Sequence, residues 1–180
     1  MNHDAFYFAL PRPREVDRSG VPEALRRFYR NHEGIGLESP PDRAVRLARL
    51  DEVQPITWKD LHIVGDDEPP HEGWKSFAAW RIGYSDMLDE IVYVVRAPGV
   101  PTGAVLAMGT GVMIGPAGDD AEGPGGAIII ARSFDDWIKR VERDGPLAHG
   151  VFVDQDLPDQ AAKELRGELA RLNPHSDYSK

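Results

Sequence analysis

Six histidines and thirty Asp/Glu residues in a chain of 180 make a metal site or paired acid–base groups the first chemistry to look for. His3, His32, His62, His71, His149 and His175 are scattered, with no His-x-x-x-His pair and no His-Glu-x-x-His motif to bring two imidazoles onto one helix face. The densest group, His62, Asp66, Asp67, His71 and Glu72, lies in one Pro/Gly-rich stretch whose spacing matches no ligand pattern, so it reads as a solvated acidic loop and no metal is expected. A serine nucleophile needs Gly-x-Ser-x-Gly at a strand-to-helix turn; Gly83-Tyr84-Ser85-Asp86-Met87 begins that motif and puts methionine where the turn needs a small residue. Gly109-Thr110-Gly111 and Gly115 fit neither the dinucleotide fingerprint nor a phosphate loop, and no Gly-Lys-Ser/Thr occurs, so a hairpin or bulge is expected there and no cofactor. Carboxylates occur as neighbours, Asp66/Asp67, Asp89/Glu90, Asp119/Asp120 and Asp135/Asp136. Adjacent side chains on a strand point to opposite faces, whereas a catalytic pair must share one cleft. No cysteine is present, which removes disulfides, thiolate metal sites and a thiol nucleophile together.

The elements that must position these residues are more legible than any chemistry. Ala127 to Ala131 is a continuous apolar run of strand length that leads without a loop into a helix, with Ser133 as its cap, Asp136 at the capping-box position, and Phe134, Trp137, Ile138 and Val141 on one face. Asp135 and Asp136 also complement the positive end of that helix, a structural use for their charge. Phe77 to Ile82, Ile91 to Val95 and Val105 to Met108 read as short strands, close enough in sequence to pair as antiparallel hairpins. A helix is expected from Val21-Pro22, with proline at its first position, Leu25, Phe28 and Tyr29 inward, and Gly34 as its stop. Gly36 to Asp42 reads as punctuation, Val45 to Leu47 as a short half-exposed strand, and Leu50 to Val53 as a helical piece ended near Pro55. The stretch 115–126 is a Gly/Pro/Asp loop. The last helix carries Asp156 and Pro158 at its start and a stripe of Ala161, Leu165, Leu169 and Leu172. Trp80 and Trp137 read as core, while Trp74, flanked by Gly73 and Lys75 beside the acidic loop, has the setting either of a loop tryptophan folded back onto the core or of an interface anchor. The expected fold is α+β, a single domain with a central, mostly antiparallel sheet flanked by helices.

The net charge is −9, unevenly distributed: residues 1–50 hold nine Lys/Arg against seven Asp/Glu, and residues 51–100 hold four against ten. Such a field opposes nucleic acid, whose binding rests on cationic contacts to phosphate, and reads either as ordinary solubilising charge or as a surface that suits a basic partner. The apolar run Ala5 to Leu10 lacks a basic flank and is too short for a signal peptide or a membrane span, so a cytoplasmic location and no membrane contact are expected.

Taken in order, these motifs resemble the SMI1/KNR4 (SUKH) superfamily: Val21-Pro22-Glu23 with Leu25, Phe28, Tyr29 and Gly34, then Leu50 with Glu52-Val53, a central hairpin region, and an apolar strand followed by Ser133, Phe134, Trp137 and Ile138. The resemblance covers about residues 20 to 145 and does not explain the Gly-rich insertion or the tail helix; the chain is expected to divide into an N-terminal extension (1–20), a domain (21–145) and a C-terminal strand, Val151 to Val153, and helix packed on it (146–180). Met87-Leu88-Asp89-Glu90 stands where the family often has Gly-Asp or Gly-Glu, and His32-Glu33-Gly34 where it has Asn-Gly. The resemblance implies binding without catalysis: bacterial members are similar to immunity proteins that neutralise toxins, and fungal members to regulators of cell-wall synthesis.

The expectation is therefore a non-enzymatic protein that blocks a basic toxin domain, with Asp66, Asp67, Glu68, Trp74, Asp86, Asp89 and Glu90 as contacts. A regulatory scaffold or adaptor is the alternative, separated from the first by whether a toxin gene lies next door. A hydrolase using the loop at His62 to Glu72 or at Asp119 to Glu122 is the third.

Overall fold

Strand-forming runs dominate the chain from its first apolar stretch to residue 131. The computed structural model describes residues 6–9, 19–32, 34–37, 45–60, 75–85, 90–108, 127–144 and 159–174. In chain order these form β1 (Phe6–Ala9), α1 (Glu23–Tyr29), β2 (Gly34–Leu37), β3 (Val45–Leu47), β4 (Gln54–Thr57), a 3-10 turn (Trp58–Asp60), β5 (Ala78–Ser85), β6 (Glu90–Arg96), β7 (Val105–Met108), β8 (Ala127–Ala131), α2 (Phe134–Asp144) and α3 (Asp159–Leu172). The strands make one sheet in the order β1-β2-β3-β5-β6-β7-β8, with β4 joined to β5, and every pairing is antiparallel. The fold is α+β.

Both faces of the sheet are packed. Ile82, Ile91, Ile128 and Ile130 face a core shared with Leu25, Phe28 and Tyr29 of α1 and Phe134, Trp137 and Val141 of α2. The alternate positions Ala79, Val92, Val94, Leu106, Ala127 and Ile129 form a second core with Ile56 and Phe77. Two buried faces account for the unbroken apolar run of β8, where a strand with one wet face would alternate. Each fully buried Ile or Leu contributes roughly 1.5–3 kcal/mol, so β8, with all five residues buried, is a major source of stability. At its end Ser133 caps α2: the Asp136 N–H donates to Ser133 Oγ at 3.1 Å and the Trp137 N–H to Ser133 O at 3.1 Å. Phe134 meets Phe28 edge-on at 5.5 Å, and Arg27 pairs with Asp135, which fixes α1 against the first turn of α2.

Three local expectations are corrected. Pro22 occupies the capping position before α1, with φ −54° and ψ 143°, and the helix starts at Glu23. Gly34 does not stop that helix; α1 closes at Tyr29 with Arg30 as its cap, and Gly34 opens β2, paired with Ala9. Leu50 to Val53 is a single turn, with the N–H groups of Glu52 and Val53 both donating to Arg49 O. Pro55 sits inside β4, where it is tolerated because, among the described residues, β4 pairs on one side only, with β5.

That turn interrupts what would be one long strand. Val45–Leu47 pairs with Ser85–Gly83, the Ala48 N–H donates to Ile82 O at 2.8 Å, and pairing resumes one residue on at Gln54↔Arg81. Residues 49–53 thus leave the sheet and return without disturbing either register with β5. The Tyr29 hydroxyl donates to Ala48 O at 2.6 Å at the point of departure. Burial pushes that hydroxyl well above the ordinary tyrosine range, with the negative charge of Glu52 as the smaller cause.

Between β6 and β7 the chain turns through Ala97-Pro98-Gly99-Val100, with Gly99 at φ 68°. Proline followed by a positive-φ glycine is the type II arrangement.

Candidate functional site

Glu90 is the contact candidate that lies within the described residues; Asp66, Asp67, Glu68, Trp74, Asp86 and Asp89 lie outside them. Glu90 opens β6 opposite Tyr84 of β5 and Met108 of β7. Its carboxylate accepts from Arg81 at 2.6 Å, and the two side chains are 17% and 12% exposed, so the ion pair is largely withdrawn from water. A register shift between Arg81 and Gly83 makes this geometry. Arg81 faces Val92, and after the shift Tyr84 faces Glu90, which puts Arg81, Tyr84 and Glu90 on the face of the second core. The guanidinium lies 5.9 Å from the Tyr84 ring, and Tyr84 is 42% exposed, one of the two large hydrophobic side chains that reach solvent among the described residues.

The same face continues to the 3-10 turn after β4. Asp60 Oδ2 accepts from the Thr57 N–H at 2.7 Å and from its hydroxyl at 2.9 Å. The Thr57 N–H, then the Thr57 hydroxyl, hold the Asp60 carboxyl below the usual carboxylate range, and the charge of Arg81 adds to the effect. Lys59 Nζ lies 5.7 Å from the half-buried Trp58 ring. Trp58, Lys59, Asp60, Arg81, Tyr84 and Glu90 therefore make a strip in which each aromatic ring carries a cation, and Arg81 is shared between a ring and a carboxylate. Aromatic residues and arginine are the types enriched at protein interfaces.

The acidic segment is tethered to the sheet at two places. Asp60 and Lys75, which flank residues 61–74, stand toward the Ala78 end of β5; Ser85 and Glu90, which flank residues 86–89, stand at its other end. The tethers are separated by much of an eight-residue strand, whose full length is about 26 Å at roughly 3.3 Å per residue.

Other candidates resolve differently. Ser85 ends β5 and Glu90 opens the paired strand β6, so among the described residues β5 leads to a strand and not to the helix that follows a serine-hydrolase elbow. His32 stacks on Phe28 at 4.7 Å, Asp135 is paired with Arg27, and Asp136 lies 4.0 Å from Lys139. No three His, Cys, Asp or Glu residues converge as a metal site among the described residues. His3, His62, His71, Glu72, His149, His175, Asp119, Asp120, Glu122 and the glycines at 109–115 lie outside them. Among the described residues no helix is long and apolar enough to cross a membrane.

Sequence reasoning missed Arg81, Tyr84 and Asp60. The signal for Arg81 was present: a lone arginine inside Ala78-Ala79-Trp80-Arg81-Ile82 must find a partner where its strand is covered. The partner's identity depends on cross-strand register, which no local pattern carries. Comparison of the chain with family models, with curated proteins and with solved structures finds no match in any of the three.

Proposed function

We propose that the chain is a non-enzymatic, cytoplasmic protein-binding module of the SMI1/KNR4 type, most simply an immunity protein that occludes a basic toxin domain. One observation carries this reading: residues 66–90 hold seven Asp/Glu against two Lys/Arg, strung along a segment whose flanks are fixed to the central strands β5 and β6. The resemblance of Val21 to Gly34 and Ser133 to Ile138 to that superfamily supports it. Asp66, Asp67, Glu68, Asp86 and Asp89 would supply the attracting field, and Trp74 and Tyr84 the apolar anchors. Glu90 has a different part, because its charge is matched within the protein: it holds Arg81 beside Tyr84.

Affinity purification of the full chain from its native host, followed by mass spectrometry, tests the proposal. The expected prey is a basic protein that is retained by the unaltered chain and lost when Asp66, Asp67 and Glu68 are changed together to lysine. Recovery of an acidic prey, or of the same prey by the charge-reversed chain, would refute it.

A further inference from the structure

Helix α3 lies across the β8 edge of the sheet. β8 is last in the strand order, so among the described residues the N–H and C=O of Ile129 that point away from β7 meet no further strand. Asn173, just past the end of α3 and fully buried, takes that place. Its Oδ1 accepts from the Ile129 N–H at 2.8 Å and its Nδ2 donates to Ile129 O at 2.8 Å, the two bonds that a residue of a ninth antiparallel strand would make. Leu169 reaches the core on one face of the sheet and Leu172 the core on the other, so the helix straddles the edge. Arg140 of α2 closes the neighbouring position, donating to Ile130 O and pairing with Glu168 of α3.

The helix that carries this plug has a built-in weakness. Gly167 is exposed, and a Cβ added there would meet nothing within 4 Å, so glycine is not required by packing. Glycine in a helix interior lowers helix stability relative to alanine. Gln160, Lys163, Glu164 and Arg171 are also exposed.

We propose that α3 is a releasable strap whose Asn173 occupies a strand-pairing position on β8, and that its release opens β8 to antiparallel pairing with β8 of a second copy of this chain. Ile129 is self-complementary for that purpose. About a two-fold axis, the N–H and C=O of one Ile129 satisfy those of the other, replacing the two bonds that Asn173 gives up. A short, uncharged, isoleucine-rich strand is also the composition that pairs edge to edge once uncovered.

Two substitutions in the full chain push the strap in opposite directions. Amide exchange at Ile129, read at submicromolar concentration, is expected to rise tenfold or more in Asn173→Ala and to fall about fivefold in Gly167→Ala. Sedimentation at tens of micromolar is expected to show a larger dimer fraction for Asn173→Ala than for the unaltered chain, with Ile129 regaining protection as the dimer forms, and a smaller fraction for Gly167→Ala. Unchanged Ile129 exchange in Gly167→Ala overturns the strap, and that arm decides the matter even if Asn173→Ala fails to fold. Faster exchange in Asn173→Ala without added dimer, or a dimer that leaves Ile129 unprotected, overturns the pairing.

Discussion

At the scale of single residues, the Tyr29 hydroxyl makes alkaline stability a readout of one contact. It is buried, donates to Ala48 O, and has its ionisation displaced upward by burial first and by Glu52 second. An unfolded tyrosine loses its proton near pH 10, whereas folded Tyr29 keeps it. Above about pH 10 the folded state therefore binds more protons than the unfolded one, and stability must fall as pH rises; below that pH the contribution is complete. Tyr29→Phe is expected to cost about 1–2 kcal/mol at pH 7, because Ala48 O is left without its donor, and to flatten the decline between about pH 10 and 11. Urea midpoints across that range check both, and an equally steep decline in the variant would refute the assignment. Tyr93, raised by burial and by Asp135, accounts for part of the slope that remains.

The ion pair of Arg81 and Glu90 belongs to the same scale. Exposed pairs contribute about 0–1 kcal/mol, and breaking a fully buried one costs about 3–5. With 12% and 17% exposure this pair falls between those limits. Arg81 Nε is buried with no hydrogen-bond partner among the described residues, so the guanidinium relies on Glu90. Glu90→Gln should therefore destabilise more than the double change Arg81→Met with Glu90→Leu, which removes both charges from the covered face. Chemical denaturation of the two variants decides it; a double variant no more stable than Glu90→Gln would show that the charge pair itself is the favourable term.

At the scale of elements, legibility followed how far each segment's pattern is local. β7, β8 and α2 could be read because apolar runs, Gly/Pro punctuation and a serine cap agree over a few residues, and their observed bounds follow those signals. β1 and β2 could not. Gly34-Ile35-Gly36-Leu37 has two residues of low strand propensity, and it becomes a strand because Phe6–Ala9 pairs with it residue for residue, a long-range contact that overrides local preference. Leu50 to Val53 misled in the opposite sense: its turn is helical in its first bonds, but the proline at 55 favours extended backbone at Gln54, which β5 then pairs. For the site, composition exposed the carboxylates of 66–90, while the Arg81–Glu90–Tyr84 arrangement came from a register shift that only the paired strands reveal.

At the scale of the whole molecule, a net charge of −9 with its excess at 51–100 sets how a basic partner would approach. Steered association can exceed the unsteered 10⁵–10⁶ M⁻¹s⁻¹ by orders of magnitude and weakens as salt shortens the screening length from about 30 Å at 0.01 M to roughly 8 Å at 0.15 M. Stopped-flow association with the basic protein captured from the host should slow steeply over that range for the unaltered chain. The slope should be much shallower when Asp66, Asp67, Glu68, Asp86 and Asp89 are neutralised to their amides. Equal slopes would remove those five from the encounter surface.

The five-residue excursion at 49–53 also makes the sheet tolerant of length variation. Because β3 and β4 take their alignment separately from β5, residues added between Asp51 and Glu52 lengthen the detour without displacing a single pairing on either side. Doubling such a loop costs only about 0.6 kcal/mol of closure entropy, and parting Glu52 and Val53 from Arg49 O costs about 1 kcal/mol for each hydrogen bond lost, so a Gly-Ser-Gly-Ser-Gly graft there should lower the thermal midpoint by several degrees and leave the fold intact. That makes the site a natural berth for a fluorophore or an epitope tag, since Asp51 and Glu52 are both exposed.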